Sequence, residues 1–214
     1  MSGTGTEICA KGSNFIGLLR ALEALEGPDA RERVLSQLPA AVATPIRDGQ
    51  IVMMGWYPVE WYAELHAAVD QTFHHGPSLA RKLSHHATAM DIGSIHRFIA
   101  SMLSVETVFG QTHRLMGLYW KGGKIERQEI TKGRARMCFS GWNGFTVLIW
   151  EDIMGGIEAV LETCGARNGR VRAANSRPLT DVIDTLEMEV RWSDRARTGD
   201  LGTLPPRSLP PLRR

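Results

Sequence analysis

Cysteine is scarce in this sequence: Cys9, Cys138 and Cys164 stand far apart in 214 residues, odd in number and with no Cys-x-x-Cys. That excludes a disulfide framework and reads as free thiols in a reducing compartment. Long apolar runs are missing as well. Nothing approaches the ~20 residues of a spanning helix, and the start, Met1-Ser2-Gly3-Thr4-Gly5-Thr6, has no apolar core of a secretory signal. A cytoplasmic chain with no membrane role is therefore expected. Charge of one sign is also lacking, since the net charge is +2, too balanced to call for nucleic acid. The imbalance is local: residues 194–214 carry five Arg and two Asp, a net +3, which leaves 1–193 at −1.

Catalytic signatures are equally absent. There is no Gly-x-Ser-x-Gly, and Gly122-Gly123 follows a helical pattern instead of feeding one, the wrong order for a phosphate cradle. Seven histidines are present, at 66, 74, 75, 85, 86, 96 and 113, but no two are four apart, and the adjacent pairs point their rings in different directions. A zinc site on one helix is thus excluded, and no metal is expected. Cys164 falls on an apolar stripe as a core thiol, and Cys9, near the chain start, is the thiol expected to react. A metal- or thiol-dependent enzyme built from scattered histidines and Cys138 remains the rival to a non-enzymatic protein.

What is present is a chain 43% hydrophobic, long enough to bury a sizeable core. Phe15, Leu18, Leu19, Leu22 and Leu25 recur at helical spacing over 14–26, with Ser13 as N-cap and Gly27-Pro28 as stop. A short helix is expected over 29–38, a loop over 40–50, and an apolar stretch over 51–56. Pro58 opens a helix striped by Tyr62, Leu65, Val69 and Phe73. Helical patterning resumes over 78–90, 94–104 and 106–120, and the polar density of 78–116 suggests a partly exposed surface. The period then drops to 2: strands are expected over 124–131, 134–142 and 169–175, with a helix through Ile153, Ile157 and Cys164 capped by Gly165. In the last strand Leu186, Met188, Val190 and Trp192 alternate with Glu187, Glu189 and Arg191, one dry face and one wet, as in an antiparallel sheet. The class is α+β, with helices packed on one face of an antiparallel sheet of about four strands. A flexible N-terminus over 1–9, a single domain over 10–193 and a disordered, basic, proline-rich tail over 194–214 complete the organisation.

Five segments in order resemble a known family: Lys11-Gly12-Ser13, Leu35-Ser36-Gln37-Leu38-Pro39, Gly55-Trp56-Tyr57-Pro58, Cys164-Gly165-Ala166-Arg167-Asn168 and Met188-Glu189-Val190-Arg191-Trp192. The set is similar to an uncharacterised paralogous family of myxobacteria, distantly related to haem–NO-binding, vinyl-reductase-like and transport-particle (TRAPP) domains. The resemblance covers about 10–192 and implies the haem–NO-binding/vinyl-reductase-like type of fold. Those haem sensors hold the propionates with Tyr-x-Ser-x-Arg, which none of Tyr57, Tyr62 and Tyr119 begins. The cysteine motif of the vinyl-reductase-like relatives is missing too, from 173–186. No cofactor, and in particular no haem, is the resulting expectation.

Aromatics are the remaining signal, with six Trp at 56, 61, 120, 142, 150 and 192. Aromatics at element boundaries pin helices onto a sheet. The candidate lining of an apolar pocket between helices and sheet is Trp56, Tyr57, Tyr62, Met102, Met116, Tyr119, Trp120 and Trp142. The function expected is a non-enzymatic sensory or regulatory module that binds an apolar small molecule or a protein partner. The resemblance implies a homodimer, because related domains pair through their helices, with Leu118 and Trp120 expected to contribute. A purely structural interaction protein with a closed core is the further alternative.

Overall fold

The computed structural model describes residues 7–91, 104–173 and 181–193. Helix α1 (Gly12–Glu26) buries Phe15, Leu18, Leu19 and Leu22 and stops at Gly27, whose φ of 100° suits glycine. Its start differs from expectation. Ser13 is not the cap; the Gly12 and Ser13 amides donate to the carbonyls of Gly55 and Met53, at 2.9 and 3.0 Å. Two of the free N–H groups of the first turn are thus satisfied by the 51–55 loop instead of a side chain.

Helix α2 (Ala30–Leu35) is shorter than the pattern suggests. The expected loop over 40–50 is largely helix α3 (Ala40–Arg47), in which Val42, Ala43 and Ile46 are buried and Pro45 sits inside the helix. Proline there gives up one backbone bond, and burial of three apolar side chains outweighs that loss. The apolar 51–56 stretch is mostly turn, with Val52, Met53 and Met54 exposed.

Helix α4 (Val59–Phe73) follows Pro58 and ends at His74 in the left-handed region. Helix α5 (Pro77–Asp91) is partly exposed, as its polar sequence suggests: Leu79, Ala80, Leu83 and Ser84 are buried, whereas Ser78, Lys82, Met90 and Asp91 are exposed. The helix expected over 94–104 lies almost wholly outside the described residues. The pattern over 106–120 is split into α6 (Val105–Gly110) and α7 (Thr112–Tyr119). After the sheet's first hairpin comes α8 (Val147–Thr163), capped by the Thr146 hydroxyl accepting from the Ile149 amide at 3.4 Å.

A small sheet joins β1 (Cys9–Lys11), β2 (Trp56–Pro58) and β3 (Trp120–Lys121) in the order β2-β1-β3. Strands this short carry no readable period, so the sequence does not announce them. The main sheet consists of β4 (Lys124–Thr131), β5 (Arg134–Ser140), β6 (Arg167–Ala173) and β7 (Leu186–Ser193), in the order β4-β5-β7-β6. Every pairing is antiparallel, as the alternation implied. Register places Ala135, Met137 and Phe139 opposite Val190, Met188 and Leu186, all buried on the face that the helices cover. The α+β expectation stands.

Strand β6 is an edge, and the fold protects it. The Arg81 guanidinium on α5 donates to the Val171 carbonyl at 3.1 Å, and the Val171 amide donates to the Glu158 carboxylate on α8 at 3.3 Å. Arg81 also pairs with Glu151 and Glu158 at 2.7 and 2.9 Å. The ion pair that ties α5 to α8 therefore occupies the backbone groups that would invite another strand.

Candidate functional site

The interior between helices and sheet is a continuous set of aromatic contacts. Phe15 meets Tyr62 at 5.0 Å between ring centroids, Tyr62 meets Trp120 at 5.5 Å, and Trp120 meets Phe145 at 4.8 Å. Phe145 in turn touches Trp142 and Trp150, each at 4.9 Å, and Phe139 on β5 closes the set at 5.2 Å from Trp150. The indole N–H of Trp142 donates to the Lys124 carbonyl and that of Trp150 to the Ile183 carbonyl, at 3.1 and 2.9 Å. Large side chains with satisfied polar edges are a strong reason for helices and sheet to hold one geometry.

Of the eight lining residues expected from sequence, Tyr62, Trp120 and Trp142 come together in this network. Tyr57 touches the network through Phe15, at 5.8 Å between ring centroids, and also pins the 50–55 loop, its hydroxyl donating to the Gln50 carbonyl at 2.9 Å and accepting from the Val52 amide at 2.8 Å. Trp56 lies between Lys11 and Lys121, whose ammonium groups sit 5.4 and 4.5 Å from its ring. Met116 packs half-buried against the core, Tyr119 is 40% exposed, and Met102 lies outside the described residues. Leu118 is exposed as expected, but Trp120 is buried and offers no surface for a second copy.

A polar centre sits against this network. Tyr62 and His66, one turn apart on α4, both reach Asp152 on α8. The phenol donates to Asp152 Oδ1 at 3.2 Å, and His66 Nε2 lies 3.7 Å from the same oxygen. The Ser84 hydroxyl on α5 also bonds Asp152. All four residues are buried. Burial pushes the Asp152 carboxyl up to about 7, against the smaller, opposing effect of its bonds to Tyr62 and Ser84. Burial takes His66 down to about 3, so its imidazole is neutral at physiological pH. Tyr62 is pushed well above its ordinary value, first by burial and then by Asp152.

Both ring nitrogens of His66 are buried and lack a hydrogen-bond partner among the described residues. Leaving a buried polar group unpaired costs about 1–3 kcal/mol, and such groups are rare in native interiors. Residue type alone does not reveal this centre. The available signal is position: His66 follows Tyr62 by four on a buried stripe, and Asp152 falls in step with buried Leu148 and Ile149.

Cys138 is half-buried on β5, and among the described residues no three His, Cys, Asp or Glu side chains converge to hold a metal ion. Cys9 belongs to β1 rather than to a loose end, and burial, followed by Glu7, raises its thiol. An open groove of 350 Å³ lined by Leu25, Arg81, Lys82, His85, His86 and Glu158 lies on the surface at α5 and α8, away from Trp56 and Trp120. No helix among the described residues is long and apolar enough to cross a membrane.

No protein-family model matches the chain, and no curated protein matches it. The myxobacterial paralogous family therefore gains no support here. Solved structures do match, and they are H-NOX (haem NO/oxygen-binding) domains. An H-NOX protein from K. algicida, in its Fe(II) unliganded form, superposes with a TM-score of 0.65 at 11% identity, covering 87% of this chain and 98% of its own. One from S. oneidensis in the Fe(II)NO ligation state gives 0.59 at 13% identity, covering 86% and 99%. An oxygen-binding H-NOX domain related to soluble guanylate cyclases, in its oxygen complex, gives 0.57 at 11% identity, covering 86% and 95%. The chain has the H-NOX fold.

That finding overturns the expectation of no cofactor. The missing Tyr-x-Ser-x-Arg motif does not exclude haem, because the structures that share the fold are H-NOX proteins, two of them described in Fe(II) forms. Among the described residues, His66 is the kind of donor a haem iron takes, a neutral, buried imidazole whose nitrogens have no hydrogen-bond partner. Phe15, Tyr62 and Trp120 stand in ring contact beside it, so a macrocycle at His66 would have to part them.

Proposed function

We propose that this chain is a non-enzymatic sensory or regulatory module whose interior site, centred on His66 between α4 and α8, takes a small ligand or cofactor. The supporting observation is the buried imidazole with two unpartnered nitrogens, set against a carboxyl that Tyr62 and Ser84 hold in place. Haem is the cofactor that the fold neighbours suggest. When bound, it supplies an iron able to coordinate small ligands.

The residues present divide the remaining work. His66 offers a neutral donor nitrogen. Asp152, whose Oδ1 accepts from the Tyr62 hydroxyl, fixes the floor of the site with Tyr62. Trp120, Phe145 and Trp150 exclude water and couple the site to the sheet. A ligand that moves α4 relative to α8 shifts this aromatic set as a unit, which is how occupancy would reach a partner protein. A cytoplasmic location and homodimerisation through helices, with Leu118 at the contact, belong to the same proposal.

The absorption spectrum of the purified full chain, before and after addition of haemin, tests the cofactor. A Soret band that shifts in His66→Leu supports a haem held through His66. A band unaltered in that variant places the ligand elsewhere. If no band appears and no other co-purified molecule is found, the interlocked rings are a closed core and the reading fails.

A further inference from the structure

The outer face of the main sheet, away from the interior site, carries an arrangement that folding alone does not explain. Register places Arg134 on β5 opposite Arg191 on β7, and Arg191 opposite Arg170 on β6. Three arginines therefore stand in one row across three strands, neighbours spaced by the strand separation of roughly 4.8 Å. The next row is Glu129 on β4, Arg136, Glu189 and Arg172, in which the signs alternate. Arg134, Arg136 and Arg191 are 45%, 40% and 66% exposed in their side chains, and Arg170 and Arg172 are exposed too.

Like charges placed directly opposite each other destabilise a sheet. The acids on β7 answer only part of this row. Glu189 takes both Arg134 and Arg191, and Glu187 takes Arg136. Arg170 and Arg172 have no ion-pair partner among the described residues. The cations of both rows are all arginine, whose planar fork suits bidentate binding of carboxylates better than lysine does.

We infer that this face, from β5 across β7 to β6, docks an acidic segment of a partner protein, whose carboxylates engage Arg170, Arg172 and Arg191. The Arg81–Glu158 pair already occupies the backbone of β6 at Val171, so the segment lies across the face and does not extend the sheet at its edge. Glu129, Glu187 and Glu189 interrupt the arginines, which suits carboxylates spaced along a peptide better than the continuous phosphate backbone of nucleic acid. The two rows expose no apolar side chain to enter a lipid surface.

Fluorescence anisotropy of the full chain with a labelled peptide of alternating Glu and Ser tests this, with labelled single-stranded DNA under the same conditions. Saturable peptide binding is expected at low salt, weakened about tenfold or more by Arg170→Glu/Arg172→Glu. The charge-matched Arg213→Glu/Arg214→Glu change in the basic tail should leave it nearly intact. No peptide binding, equal loss in the tail variant, or tighter binding of DNA than of peptide each overturns the inference. A thermal scan of Arg170→Thr supplies a second readout. A Tm that holds or rises agrees with a row kept for a partner, and a fall of several degrees shows that the row serves the fold and overturns the inference.

Discussion

His66 and Asp152 face each other at 3.7 Å with each group held in its neutral form by burial, and the two therefore pull stability in opposite directions as pH changes. Asp152 in the folded chain keeps its proton up to about 7, whereas in the unfolded chain it loses it near 3.8, so its contribution falls as pH rises through that window. His66 does the reverse. Its folded value of about 3 lies below the ordinary 6.5, so stability falls as pH drops from 6.5 towards 3. A tenfold difference in proton affinity between folded and unfolded chain is worth about 1.4 kcal/mol, and where the windows overlap the two slopes largely cancel. Chemical denaturation as a function of pH checks this. Asp152→Asn should gain stability relative to the parent as pH rises from 4 to 7, and His66→Leu should gain relative to the parent as pH falls from 6.5. Parallel profiles for all three proteins would show that the pair is not buried as described. Neither residue is readable by type alone, since a histidine or aspartate inside a helix is more often solvated. Only its position in a buried stripe marks each one.

The helix pair α5 and α8 is the element on which the site's floor rests. A Cβ on Gly155 would overlap the Arg81 carbonyl, so α5 lies against α8 at a distance only glycine permits. Gly155→Ala should therefore lower Tm despite alanine's better helix propensity, at a cost of about 1–3 kcal/mol for overpacking. Circular-dichroism melting measures it, and an unchanged Tm would mean that the helices yield freely. At the sheet's edge, Arg81→Leu removes the donor to the Val171 carbonyl and leaves Glu158 without its ion-pair partner, bonded only by the Val171 amide. Hydrogen exchange should then speed up at the Val171 amide and its β6 neighbours while β5 keeps its protection. Long, strongly periodic elements were legible: the stripe of α4, the alternation of β5 and β7, and the Gly27 and Gly165 stops are where the spacing put them. Helix α3 was hidden by Pro45. The small sheet was hidden because its three strands are two or three residues long and held by backbone pairing alone. The Arg81 network joins residues 70 to 90 positions apart, a separation no local pattern reports.

For the whole molecule, an H-NOX fold is reached at 11–13% identity to the structures that share it, so this architecture forms without the Tyr-x-Ser-x-Arg motif. What keeps the fold is a pattern of apolar positions and one aromatic network from α1 to β5, and many residue choices satisfy both. The order of elements was therefore legible, but the cofactor was not, because a missing motif says only that one way of holding haem is absent. The measurement that tests the central claim most directly is native mass spectrometry of the full chain as purified and after addition of haemin, beside a denatured control. An occupied interior site predicts a non-covalent adduct on the folded chain, lost on denaturation and diminished in His66→Leu. A folded chain that shows only its own mass under both conditions, with the parent and His66→Leu alike, would contradict it.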